Sequence, residues 1–204
     1  MPVMILDPEL AEQVLAEREA SPGGRRREEV WDGVTFIMPD VDPEHSDIGV
    51  FFIWAFRSVF SPDAGDRVQG PTNITDRATN WTKNYRSPDM SLFLSGNSAE
   101  DRRTHWYGGP DFALEIVSPD DHSRDKLDFY AQVRTREVLI VDRNPWRLEL
   151  YQLSRGKLRL RGASAPGGEA LASAVTPFTF QLIRGRPRPK VKITHTATGQ
   201  EWVG

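Results

Sequence analysis

A single glutamate interrupts an otherwise apolar run at Phe112-Ala113-Leu114-Glu115-Ile116-Val117. Burying an unpaired carboxylate costs on the order of several kcal/mol. A metal ion, an Arg or Lys partner, or a strand end open to water must therefore compensate Glu115. Strand alternation puts Asp111, Ala113, Glu115 and Val117 on one face. A second acid, Asp89, lies in Ser87-Pro88-Asp89-Met90-Ser91-Leu92-Phe93-Leu94. Proline suits the start of a strand rather than its middle, which sets Asp89 at the strand mouth, opposite Met90, Leu92 and Leu94. Two carboxylates from neighbouring strand ends make an all-oxygen pocket suited to Mg²⁺ or Mn²⁺. Such an ion polarises a phosphoryl oxygen and lowers the pKa of a bound water. The alternative is that both acids serve only structural ion pairs.

Three further side chains carry chemistry only in company. Lys126 falls on the helix expected after Glu115, with Tyr130 one turn later on the same side. A lysine beside a metal-bound water orients it and stabilises the charge of a pentavalent phosphorane; the alternative is a solvated helix lysine. His45, third in its expected helix, is a proton carrier or a simple cap near the positive helix end. Glu29 follows three arginines beside a hairpin and by itself reads as an exposed charge.

These side chains need a scaffold. Asp7-Pro8-Glu9 places a capping residue before a proline, opening a helix that runs to about Ala20, where Ser21-Pro22-Gly23-Gly24 ends it. Glu28 to Met38 reads as a hairpin turning at Asp32-Gly33. Asp42-Pro43-Glu44 repeats the capping pattern and opens a second helix, about His45 to Phe60, with a wide apolar face of Ile48, Phe51, Phe52, Ala55, Phe56 and Val59. Arg67 to Leu94 reads as extended. A buried strand is expected over Asp111 to Val117, a helix over about Asp121 to Arg134 and a strand over Glu137 to Val141. A hairpin from Arg147 to Leu160 and a strand near Phe178 to Ile183 follow. That order points to an α/β fold, a mixed sheet with helices on its faces.

At 204 residues the chain suits one domain with a core at about 25–183 and a basic carboxy-terminal extension at 184–204. Apolar residues make up 38%, enough for a core, and the most apolar stretch, Ile48 to Phe60, is too short for a membrane span and carries Arg57. The absence of cysteine excludes disulfides, zinc-thiolate sites and thiol nucleophiles. With no basic n-region before Asp7, no secretory signal is read, so Asn73-Ile74-Thr75 and Asn80-Trp81-Thr82 carry no glycosylation reading and a cytoplasmic location is expected. The net charge of −3, from 26 basic and 29 acidic residues, means that any pull on phosphate comes from local clusters. One such cluster is Arg184, Arg186, Arg188, Lys190 and Lys192, which share a face if extended; they track a phosphate backbone or merely protect a sheet edge. Arg25-Arg26-Arg27 admits the same two readings.

Taken in order, Glu29-Val30-Trp31-Asp32-Gly33, Pro43-Glu44-His45, Pro88-Asp89, Pro110 through Pro119, and Asp125-Lys126-Leu127 with Tyr130 resemble the bacterial Uma-two family. That family belongs to the PD-(D/E)xK restriction-endonuclease-like superfamily, and the similarity runs from about residue 25 to 183. The resemblance implies a restriction-endonuclease-like mixed sheet flanked by helices, with added β-hairpins. It implies a metal-dependent phosphodiesterase with Asp89 and Glu115 as metal ligands, Glu29 as the acid of the amino-terminal region and His45 at the start of the second helix. One departure stands out. The superfamily lysine sits two residues beyond the strand acid, where this chain has Val117, and Lys126 matches the lysine of the following helix in this branch. The expected function is hydrolysis of DNA with Mg²⁺ or Mn²⁺; a homodimer is left open. The rival reading is a nuclease fold that has lost catalysis and serves binding or assembly. A glycosidase built on Asp89 and Glu115 ranks below both.

Overall fold

A computed structural model describes residues 3–20, 28–38, 41–118 and 122–204. The expected helix stop at 21–24, the arginines 25–27 and Asp121 lie outside the described residues. The central sheet has six strands, in the order Lys157–Ser164, Trp146–Ser154, Glu137–Arg143, Phe112–Ile116, Met90–Phe93 and Arg67–Gln69. Only the Phe112–Ile116 and Glu137–Arg143 neighbours run parallel; the other pairs are antiparallel. A parallel pair cannot be closed by a tight turn and needs a crossover. That crossover carries Lys126 and Tyr130 back over the sheet.

Among the described residues, three α-helices flank the sheets: α1 (Pro8–Ala20), α2 (Pro43–Arg57) and α3 (Leu127–Gln132). Asp42 caps α2, its carboxylate accepting from the His45 amide at 2.8 Å, with Pro43 at the first helical position. α2 buries Ile48, Phe52, Ala55 and Phe56 in one core with Phe112, Leu114 and Ile116. α3 buries Phe129 and Tyr130 in a second core with Ala113, Val138 and Ile140. The strand bearing Glu115 is thus covered on both faces, which explains a continuous apolar run instead of alternation. Glu115 shares its face with Ala113, on the α3 side.

A second sheet, of seven short strands, contains the hairpin Glu28–Trp31 and Val34–Ile37. Its turn has positive φ at both central residues, 48° at Asp32 and 89° at Gly33, the conformation that this dipeptide signals. The hairpin brings Glu29 alongside Tyr85–Arg86, and so towards the start of the Asp89 strand.

The helix expected from Asp121 to Arg134 is a 3₁₀ turn, Ser123–Lys126, followed by α3, and Arg134 leaves it with φ 66°. The extended stretch 67–94 contains a further 3₁₀ turn at Trp81–Lys83.

Residues 184–204, expected as a basic extension, instead supply two strands, Lys190–His195 and Glu201–Val203, to a four-stranded sheet with Leu171–Ala172 and Phe178–Ile183. Val191, Ile193 and Trp202 sit in the same core as α2. The alternating basic face is not continuous, because residues 184–189 form no strand. Pro187 and Pro189 have no N–H to donate to a ladder.

Trp202 tests whether this segment is an appendage. Trp202→Ala is expected to lower the unfolding free energy in urea by about 3–5 kcal/mol, the scale for emptying a core aromatic site. A dispensable extension would tolerate the change within about 0.5 kcal/mol.

Candidate active site

The parallel crossover sets Lys126 directly against the acid of the neighbouring strand. Lys126 Nζ donates to Glu115 at 3.0 Å and 3.2 Å and to Glu29 Oε1 at 2.9 Å. All three residues are at most 3% exposed. Glu29 also accepts from the Ser87 amide at 3.0 Å and from the Trp31 indole at 2.8 Å. The Tyr130 hydroxyl donates to Glu115 Oε1. One buried ammonium is therefore shared by two buried carboxylates.

Sharing leaves Glu115 under-compensated. Burial pushes its carboxyl up to about 8, helped by the negative charges of Asp89 and Glu29, and the attraction of Lys126 only partly opposes this. Burial, with Glu115 beside it, also holds the Tyr130 phenol well above its ordinary range, so it remains a donor.

Asp89 stands at the other wall. Its amide donates to the Leu114 carbonyl at 2.9 Å, and its Oδ2 accepts from the Ile116 amide at 2.7 Å, which locks the acid across the start of the strand. His45 Nε2 lies 3.0 Å from Asp89 Oδ1 without the geometry of a hydrogen bond. The other ring nitrogen is 3.2 Å from Ser118 Oγ. Glu29, His45, Asp89, Glu115 and Lys126 line one cleft of about 30 Å³. That volume admits little more than an ion or a water or two.

Among the described residues, no three of His, Cys, Asp and Glu stand together as a ready ligand set. Mg²⁺ needs less, since it keeps several waters and takes one or two carboxylates. The Asp89 and Glu115 oxygens on one small cleft fit that requirement, and there Glu115 would also keep its pair with Lys126.

The sequence profile of the Uma2 family, described as "Putative restriction endonuclease", matches residues 15–184. The chain belongs to the Uma2 family. Restriction-endonuclease-like families are generally dependent on divalent metals. The structure also resembles that of a protein from Anabaena variabilis ATCC 29413, titled "a putative nuclease belonging to DUF820", with a TM-score of 0.59 and 17% identity. The match covers 78% of this chain and 88% of that one, and at this identity it speaks to a shared fold. A comparison with curated proteins returns no match.

Within this Uma2 chain, all five acid, lysine and histidine candidates meet in one cleft. Val117, at the superfamily lysine position, packs instead against the α3 core. The basic candidates lie outside: Arg184, Arg186 and Lys190 are exposed, and Arg188 pairs with Glu44 at 3.1 Å, next to His45. Lys192 pairs with Glu201 at 3.1 Å. Sequence reading missed Arg86, whose guanidinium lies 4.4 Å from both the Trp31 and the Phe129 rings and donates to the Val30 carbonyl at 2.9 Å. It clamps the hairpin bearing Glu29 to α3. No spacing signal marks it, because these partners come from two segments distant from it in sequence. No helix among the described residues is long and apolar enough to cross a membrane.

The pH dependence follows from Glu115. Its folded value of about 8 exceeds the ordinary 4.5, so the folded chain holds this proton more tightly than the unfolded one. The resulting stabilisation is full below about pH 4.5 and is lost as pH rises through about 8. Metal-free wild type should therefore lose stability between those values relative to Glu115→Gln, read as urea midpoints. Parallel profiles for the two proteins would show that Glu115 titrates like a solvated acid.

Proposed function

We propose that this chain is an endonuclease that hydrolyses DNA phosphodiester bonds with Mg²⁺ or Mn²⁺ held by Asp89 and Glu115. The observation that carries this reading is the buried Lys126 ammonium between Glu29 and Glu115, in the cleft that Asp89 also lines. An unreactive core has little use for one cation among three carboxylates, since apolar residues would fill the same space at less cost. When bound, the ion supplies a polarised phosphoryl oxygen and an acidified water. The remaining work falls to the chain itself. Lys126 offers N–H donors to a phosphate oxygen and neutralises charge that develops there. Glu29 restrains Lys126, and Tyr130 fixes the rotamer of Glu115. His45, between Asp89 and Ser118, is set to carry a proton at the cleft edge.

Arg184, Arg186 and Lys190, exposed on a segment that Arg188 ties to the start of α2, are the proposed contacts for the DNA backbone. Reversing Arg186 and Lys190 to Glu should weaken DNA binding and flatten its salt dependence. An unchanged slope would return them to protecting the sheet edge.

A second reading has its own support. Lys126 is fully engaged by two carboxylates and Val117 fills the usual lysine position, as expected of a nuclease fold kept for binding or assembly. Supercoiled plasmid with Mg²⁺ or Mn²⁺ separates the two. Wild type should nick it, Glu115→Gln should not, and Lys126→Met should lose roughly 10²-fold or more in rate. The metals should also raise the melting temperature, and Asp89→Asn should remove most of that shift. Wild type that binds DNA without cutting it would establish the binding module.

A further inference from the structure

α2 has an outer face that packing within the chain does not explain. From Ile48 to Phe56 it carries no polar side chain, yet Val50 is 66% and Trp54 57% exposed. A helix apolar all round is ordinarily buried all round. Between this face and the turn at Pro71 lies a recess of about 240 Å³, walled by Val41, Gly49, Val50, Ile53 and Pro71. It adjoins the acidic cleft, with which it shares Val41, His45 and Asp89.

Gly49 is the informative wall. It sits in the interior of a regular helix, where glycine is less stable than alanine. A Cβ built there meets only Ile116 Cδ1, at an ordinary 3.7 Å. The chain itself has no steric need for glycine at this position. A missing side chain with no internal reason leaves room for something that enters from outside.

The occupant is constrained by the walls. Among the described residues, no lysine or arginine lines the recess, so a phosphate does not suit it. Its volume falls short of the roughly 300–1,000 Å³ that takes drug-sized ligands. A mainly apolar slot whose polar lining comes from Ser46, His45 and Asp89 suits a single flat ring with polar edges. We propose that the recess receives the base of an unpaired nucleotide flanking the scissile phosphate, so that the substrate is single-stranded or locally opened DNA. The proposal rests on the nuclease reading above. A base inside a duplex is stacked and paired and cannot enter such a slot without leaving the helix.

The test separates the recess from the chemistry. Anisotropy with Ca²⁺ would measure binding of a fluorescein-labelled single strand, the same strand with abasic sites, and the fully paired duplex. Cleavage of the three would be followed separately with Mg²⁺ or Mn²⁺. The intact single strand should bind about tenfold tighter than the abasic one, the scale of one base contact. Gly49→Leu, which fills the slot, should erase that difference. Val50→Glu should do the same from an exposed rim position that does not endanger folding. Equal binding of intact and abasic strands, or variants that behave as wild type, overturns the proposal even if all three DNAs are cut. Base-dependent binding without cleavage of any DNA overturns the nuclease reading and leaves the recess standing. Dimerisation that Val50→Glu abolishes, with no preference for bases, assigns the face to a second copy of the chain.

Discussion

The structure around the cleft depends on one ammonium shared by two carboxylates. Lys126 compensates Glu29 and Glu115 together, and neither acid has a second cation within hydrogen-bond distance among the described residues. Removing it would leave two like charges in the interior, a far larger penalty than losing a surface ion pair. Much of the surrounding architecture serves to hold this arrangement. The parallel crossover delivers Lys126, the amino-terminal hairpin delivers Glu29, and Arg86 between Trp31 and Phe129 fixes the hairpin to α3.

The same arrangement makes the site receptive. The half-compensated Glu115 carboxylate holds a proton unusually tightly, because burial and the neighbouring negative charges oppose its ionisation. The interior position also keeps the cleft narrow, at about 30 Å³.

α2 connects this chemistry to the core. Its amino end places His45 at the cleft, and Phe52 and Phe56 anchor it between the central and the carboxy-terminal sheets. Phe56 meets Phe112 at 5.2 Å and Phe178 at 5.0 Å between ring centroids, so the rings of one helix residue bridge both sheets. Such packing positions His45 through a rigid element rather than a loop.

The sequence by itself determined the local features. Caps, prolines and turn dipeptides set the starts of α1 and α2 and the Asp32-Gly33 hairpin, because those preferences reside within a few neighbouring residues. The lone charge in an apolar run marked Glu115, since burial of an acid always needs a partner. Tertiary structure decided which partner. Glu29 by itself read as an exposed charge, and Lys126 as either a cation beside the acids or a solvated helix lysine; the hairpin and the crossover bury both at one place. Arg86 gave no signal because these contacts lie on two segments distant from it in sequence. Residues 184–204 read as a basic extension because their charges are prominent in sequence, while Val191, Ile193 and Trp202 acquire meaning only against α2. Identity and spacing encode what a residue needs, but long-range packing alone selects the partner that meets the need.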